Sequence, residues 1–323
     1  MLSRRDALIG ALAGAAALAR RGARLLAAAS QPATPVSFAV PPGACDCHTH
    51  VFGDPRRFPF SAARAYTPET ASVDEMRALH RALHADRVVI VQPSVYGTDN
   101  ACTLDSIKQL GPRARGVGVI DERTPDAALD EMDRGGIRGV RLNLATAGET
   151  DPAVGRRRFD AAAGRIKGRS WHIQIYTQLS MIDAMKSHLM ASPVPVVFDH
   201  FGGAQATLGT KQPGFDVLLD LVRAGKAYVK ISGAYRSSTQ APDYPDAAPL
   251  ARALVAANAQ RILWGTDWPH PDSAQVAGRK ATDIAPLLQI DDGRLFNQLA
   301  VWAPDAAVRR TILVDNPARL YGF

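Results

Sequence analysis

From residue 44 onward, short apolar runs alternate with stretches whose apolar positions recur every three or four residues. Eight runs are rich in Val and Ile and bounded by Gly, Pro or Asp: residues 44–52, 87–94, 115–120, 139–144, 172–177, 194–200, 227–233 and 261–267. Continuous apolarity over so few residues is what a parallel strand shows when both of its faces are buried. Between these runs the periodicity predicts helices over 74–85, 103–110, 125–134, 157–167, 181–191, 215–224 and 246–259, with two more over 293–302 and 305–314. In the first of them Met76, Leu79 and Leu83 share a face, and Glu75, Arg77 and Arg81 stand beside it.

Eight βα units over residues 44–323 fit one α/β domain closed as a (β/α)8 TIM barrel. An open doubly wound sheet would want a Gly-rich phosphate turn after its first strand, and none follows Phe52.

Residues 1–30 are of a different composition. Arg4-Arg5 precede a mild Ala/Gly/Leu stretch, then Arg20, Arg21 and Arg24, then the small residues Ala27-Ala28-Ala29-Ser30. A twin arginine before a weakly apolar core reads as an export signal. The expected partner is the twin-arginine export machinery, and the expected location periplasmic or secreted. The competing reading is an amphipathic or disordered tail. Residues 31–43, with Pro32, Pro35, Pro41 and Pro42, read as a spacer, unstructured or wrapped on the surface. No later run of eighteen apolar residues predicts a membrane span in the mature protein.

The leader changes the meaning of the charge. The whole chain carries +7, but the leader's five arginines and one aspartate account for four of those charges. No basic cluster interleaved with aromatics remains to suggest nucleic-acid binding. Cys45, Cys47 and Cys102 lack the spacing of a disulfide framework, and buried free thiols are expected.

In such a barrel the active groups sit at the C-terminal ends of strands. The first strand ends Asp46-Cys47-His48-Thr49-His50, and alternation points His48 and His50 the same way, into the mouth. The sixth run ends Phe198-Asp199-His200 and the eighth Gly265-Thr266-Asp267-Trp268-Pro269. The apolar setting of Asp267 is expected to raise its pKa toward that of a usable general base.

These four positions, with Val91-Gln92-Pro93-Ser94, Gly139-Val140-Arg141-Leu142-Asn143 and the stretches 230–236 and 316–323, resemble the amidohydrolase superfamily. The resemblance runs from Asp46 to Phe323 and is nearest the branch of 2-pyrone-4,6-dicarboxylate lactonase, sugar-acid lactonases and galactarolactone isomerase. It implies a hydrolase that opens a carboxylate-bearing lactone, with His48, His50, His200 and Asp267 catalytic. A binuclear member would carry a carbamylated lysine on the fourth strand and a histidine on the fifth. Here those strands read Gly139-Val140-Arg141-Leu142-Asn143-Leu144 and His172-Ile173-Gln174-Ile175-Tyr176-Thr177, so a bridged two-metal centre is not expected. A metal-free site, without cofactor, is favoured. The alternative is one divalent ion such as Zn2+ on His48, His50 and Asp267.

Arg141 and Arg236 are expected to face the mouth and pair with a substrate carboxylate, with Tyr176 and Gln92 as neutral hydrogen-bonding partners. His80, His84 and His188 fall on helices and read as surface or packing residues, and His270 as a neighbour of Asp267 with no assigned role. Competing functions are metal-dependent decarboxylation of an unsaturated or aromatic acid, lactone isomerisation, and periplasmic carboxylate binding without catalysis.

Overall fold

The alternation of apolar run and amphipathic stretch is realised as eight parallel strands in sequence order, each hydrogen-bonded to the next. A computed structural model describes residues 29–274 and 276–323. Residues 1–28, with almost all of the expected export signal, lie outside the described residues. The barrel strands are β1 (Cys45–Thr49), β2 (Arg87–Val91), β3 (Ala114–Gly118), β4 (Ile137–Asn143), β5 (His172–Tyr176), β6 (Val196–Phe198), β7 (Ala227–Ser232) and β8 (Ile262–Gly265). Just past its end, β8 returns to β1: the Asp267 amide donates to the His48 carbonyl at 2.8 Å and the His50 amide to the Trp268 carbonyl at 2.7 Å. Gly265 permits this approach, since a Cβ there would lie 2.7 Å from both the Cβ and the backbone nitrogen of His48.

Side-chain alternation divides the apolar residues into two bodies. Val89, Val91, Val117, Val197, Tyr228 and Leu263 pack together inside the barrel with Leu320 and Tyr321. Their strand neighbours Val88, Ile90, Val196, Phe198, Val229, Ile231 and Ile262 face the surrounding helices. The helix Val73–Leu83 shows how these are built. Ser72 accepts from the Glu75 amide while the Glu75 carboxylate accepts from Ser72, a reciprocal cap, and Met76, Leu79 and Leu83 are buried. The stretch predicted as one helix over 181–191 is two short ones, Leu179–Ala184 and Lys186–Met190, divided at Met185. Among the described residues no helix is long and apolar enough to cross a membrane.

β1 departs from simple alternation in a way that matters. Cys45 and Cys47 lie in the interior cluster, which by parity would turn His48 away from it. The β1–β2 register shifts between Asp46 and Thr49, and past the shift the His48 ring also lies inside, 3.4 Å from the Lys230 ammonium. Such an irregularity re-aims a side chain without breaking the sheet. All three cysteines are free and buried.

The proline-rich stretch crosses the helix Asp292–Trp302. Amides of Ala33 and Thr34 donate to the Asp291 carboxylate at 3.1 and 3.0 Å, and the Ser37 amide donates to Asn297 at 2.7 Å. Phe38 meets Phe296 edge-on at 4.9 Å.

If closure depends on the bare backbone at Gly265, Gly265→Ala overpacks the β1–β8 seam and costs about 1–3 kcal/mol. Urea unfolding measures the loss.

Candidate active site

Three strand ends deliver one cluster of four residues. His50 follows β1, His48 lies within it, His200 follows β6, and Asp267 follows β8. The Oδ1 atom of Asp267 lies 3.5 Å from His48 Nε2, 3.4 Å from His50 Nε2 and 3.8 Å from His200 Nε2. His200 and Asp267 hold left-handed backbone angles, φ +48° and +69°. For non-glycine residues such angles cost of order 1–3 kcal/mol each and persist where surrounding structure enforces them.

The far side of each ring sets its tautomer. His50 Nδ1 is 2.8 Å from the Val91 carbonyl, an acceptor only, so Nδ1 carries the proton and Nε2 a lone pair. His48 Nδ1 faces the Asp199 carboxylate at 3.2 Å, closer than Lys230, and is likewise the donor. Two ring lone pairs therefore point at a carboxylate oxygen. Both His48 Nε2 and Asp267 Oδ1 are buried without a hydrogen-bond partner. Buried polar atoms are almost always satisfied, so this arrangement calls for a positive species between them. Tetrahedral coordination at 2.0–2.1 Å sets ligand atoms roughly 3.4 Å apart, close to the spacings found here. Ligand atoms of His48, His200 and Asp267 converge as a metal ion requires. The residues fit one divalent ion.

His200 differs from the other two. Its Nδ1 faces both the hydroxyl of Ser232 at 3.0 Å and the Ser232 carbonyl at 3.3 Å. With the hydroxyl as donor to Nδ1, the proton sits on Nε2, available to a substrate oxygen.

Electrostatics hold the carboxylates ionised. Burial pushes the Asp267 carboxyl up, but Arg236 and then His200 and His50 outweigh it and hold it well below the usual range. This corrects the expectation of a raised pKa. Asp267 is fully buried, but the Arg236 Nε bonded to Oδ2 decides the sign, and the Tyr235 hydroxyl adds a bond to the same oxygen at 2.6 Å. Asp199 is held low in the same way, with burial opposed by His48, Arg141 and Lys230. Burial drives His48 well below its ordinary value and His200 down to about 4, so both are neutral at pH 7.

Arg141 and Arg236 reach the mouth, but each is engaged with an aspartate rather than standing free. Arg141 binds Asp199 Oδ2 through Nε and Nη2, both at 3.1 Å. Tyr176 sets its ring edge against His200 at 5.1 Å and lies under the Arg141 guanidinium at 5.5 Å. A cleft of about 540 Å³ opens above them, lined in part by Tyr176, His200, Arg236 and Ser273. Gln92 is not in that cleft. Its amide donates to the Asp99 carbonyl at 2.7 Å and accepts from Thr103, which ties down the loop after β2. Its position at a strand end suggested a site residue, but the loop folds back over it.

Asp199, Lys230, Tyr235 and Asp46 were not singled out from the sequence. Lys230 donates to Gln174 at 2.7 Å and lies 3.6 Å from Asp199. A lysine inside the apolar run of β7 was its only signal, since lysines are rarely fully buried without a partner. Asp46 accepts from the Thr266 amide at 3.0 Å and from the Thr266 hydroxyl at 2.7 Å, joining β1 to β8. His80, on its helix, is buried and 3.2 Å from the same carboxylate. His270 is buried against Asp292 at 2.9 Å and lines neither the cleft nor the cluster.

A parallel eight-stranded barrel with imidazoles and a carboxylate gathered at its strand ends defines a barrel enzyme of the hydrolase type. The chain belongs to the amidohydrolase family, whose model matches residues 45–323. It is 36% identical over 291 residues to 4-sulfomuconolactone hydrolase of Hydrogenophaga intermedia, covering 89% of this chain and 91% of that one. It is 35% identical over 301 residues to a 2-pyrone-4,6-dicarboxylate hydrolase of Comamonas testosteroni, covering 90% and 94%. Among solved structures, an apo protein of Agrobacterium tumefaciens superimposes with a TM-score of 0.76 at 28% identity, covering 89% of this chain and 98% of that one.

Asp199→Asn should leave Arg141 and Lys230 as uncompensated buried cations and cost about 3–5 kcal/mol. Chemical denaturation at pH 7 checks this.

Proposed function

We propose that the protein hydrolyses a lactone bearing an anionic group. The observation that carries this reading is a single ionised carboxylate, Asp267, centred among three imidazoles beneath a cleft edged by Arg236, with Arg141 at its floor beside Tyr176 and His200. Two relatives covering nine-tenths of the chain act, by name, on cyclic esters that also carry a sulfo or carboxylate group.

Charge supports an anionic substrate. Arg141 and Arg236 bring two guanidinium groups to the mouth, each spending only part of its hydrogens on an aspartate. Guanidinium hydrogens not spent on the aspartates, on Ser273 or on the Pro271 carbonyl can hold a carboxylate or sulfonate. An ion on His48, His50 and Asp267 would, when bound, polarise the ester carbonyl and acidify a water, leaving the Nε2–H of His200 for the substrate oxygen. In the metal-free reading favoured by resemblance, the oxyanion falls to His200 and the arginines, because the lone pairs of His48 and His50 face Asp267.

The chain's own part in the reaction follows. Asp267 takes a proton from water, and the water oxygen bonds to the lactone carbonyl carbon. The carbonyl electron pair moves onto its oxygen, against the Nε2–H of His200. Collapse of that tetrahedral species breaks the ring C–O bond, and the departing oxygen takes the proton held by Asp267. The product is the ring-opened hydroxy acid. Arg141, Arg236 and Tyr176 fix the anionic group so that the carbonyl lies over the cluster.

Asp267→Asn should lower kcat by about 10²-fold or more, by the usual worth of general-base catalysis. 4-Sulfomuconolactone and 2-pyrone-4,6-dicarboxylate are the substrates to assay. Near-full turnover by the variant would remove Asp267 from the base role. Dialysis against a chelator should abolish turnover and added Zn2+ restore it. Full activity in metal-depleted protein would return the site to metal-free chemistry.

The location proposed is the periplasm or the exterior, supported by Arg4-Arg5 and the small-residue stretch after them. Replacing both arginines by lysine should retain the protein in the cytoplasm, as cell fractionation would show.

A further inference from the structure

The stretch 31–43 that reads as a spacer is docked, and its leading end reaches the chemistry. Ala29 and Ser30 are 2% and 6% exposed. The Ser30 carbonyl accepts a hydrogen bond from the indole Nε1 of Trp268 at 3.0 Å, in a fully buried position. Trp268 follows Asp267 directly. Its carbonyl accepts from the His50 amide at 2.7 Å and its own amide donates to Thr266 Oγ1 at 3.0 Å. The one side-chain donor of Trp268 is thus spent on the strap, and its backbone on the two elements that carry the cluster.

Further along, the strap is pinned at several points remote from substrate. Thr34 donates through its hydroxyl to Asp291 at 2.6 Å, Asn297 donates to the Pro35 carbonyl at 2.9 Å, and the Ala29 amide donates to Glu75 at 3.3 Å. The strap runs so close to the helix Asp292–Trp302 that a Cβ on Gly293 would fall 1.9 Å from the Thr34 carbonyl oxygen.

We propose that residues 30–38, which stay on the chain when the leader is cut ahead of Ser30, form a positioning strap for the active site, acting through Trp268 to hold Asp267 at its left-handed angle and His50 in register. Asp267 sits at φ +69°, a conformation that relaxes unless its neighbours hold it. The Ser30–Trp268 bond supplies a fixed point on the following residue. Without it the buried indole N–H loses its partner, and the turn carrying Asp267 is free to shift. Trp268 and the strap touch no substrate. They act on placement, where a displacement of about 1 Å can cost on the order of 10²-fold in rate.

Two variants test this. Trp268→Phe removes the indole donor and keeps an aromatic ring. Gly293→Ala pushes the strap off from a point outside the cleft, and alanine is a better helix former than glycine. Each should lower kcat by about tenfold or more with KM little changed, the pattern of misplaced catalytic groups. The double variant should be little worse than the poorer single one, since both break the same link. Tryptophan indole resonances in 15N spectra give a readout that needs no substrate. The Trp268 indole proton should exchange slowly in the wild type and much faster in Gly293→Ala. If the variants lower Tm but leave kcat intact, or if their effects on kcat simply add, the strap is a stabilising element and the proposal fails. The proposal rests on Asp267 acting as the base. Should Asp267→Asn remain active while indole exchange behaves as described, the base assignment is at fault and not the strap.

Discussion

Closure of the barrel between its first and last strands is the constraint on which everything else depends. The bonds that complete the cylinder are the same bonds that assemble the cluster, because the Asp267 amide meets the His48 carbonyl and the His50 amide meets the Trp268 carbonyl. Asp46 reinforces that seam, receiving the amide and hydroxyl of Thr266 on one side and His80 on the other. Gly265 allows the approach. Fold and site are therefore not separable here: a loosened seam moves a carboxylate away from two imidazoles at once.

The second organising feature is a buried polar interior that closes on itself. Asp199 lies among His48, Arg141 and Lys230, and Asp267 among Arg236, Tyr235 and the imidazoles. Burying a charge without a partner costs several kcal/mol, so each member makes the others tolerable. The result is two aspartates that stay ionised in a dry setting, with neutral histidines between them. Part of the arginine charge is absorbed in this way. What reaches the cleft is the remaining hydrogen-bonding capacity of two guanidinium groups, suited to an anionic molecule that must also be released.

The periphery contributes more than a boundary. The strap is tied by separate hydrogen bonds to Asp291 of the helix it crosses and to Trp268, the residue that follows Asp267. Residues far from the cleft by sequence are thereby placed one hydrogen bond from Trp268, the neighbour of the base.

The sequence alone determined the barrel, its eight strands, and the gathering of His48, His50, His200 and Asp267. Strand ends are legible because buried parallel strands are short, apolar and bounded, and because groups at their C-terminal ends share one face of the molecule. It also determined that Arg141 and Arg236 reach the rim. What it could not determine were quantities set by contacts between strands distant in the chain. The pKa of Asp267 turned on which outweighs the other, its burial or the Arg236 guanidinium, and only the packed structure decides that. Tautomers of His48 and His50 depend on whether Asp199 and the Val91 carbonyl lie behind the rings. Gln92 looked identical in pattern to a site residue until the loop from 97 to 103 closed over it. Alternation that turns His48 and His50 into the mouth would turn Cys45 and Cys47 away from the interior; a register shift it does not foresee lets all four lie inside. Hydrophobic periodicity records burial and so announces elements. Which charge lies next to which is settled only when the tertiary structure brings them within a few ångströms.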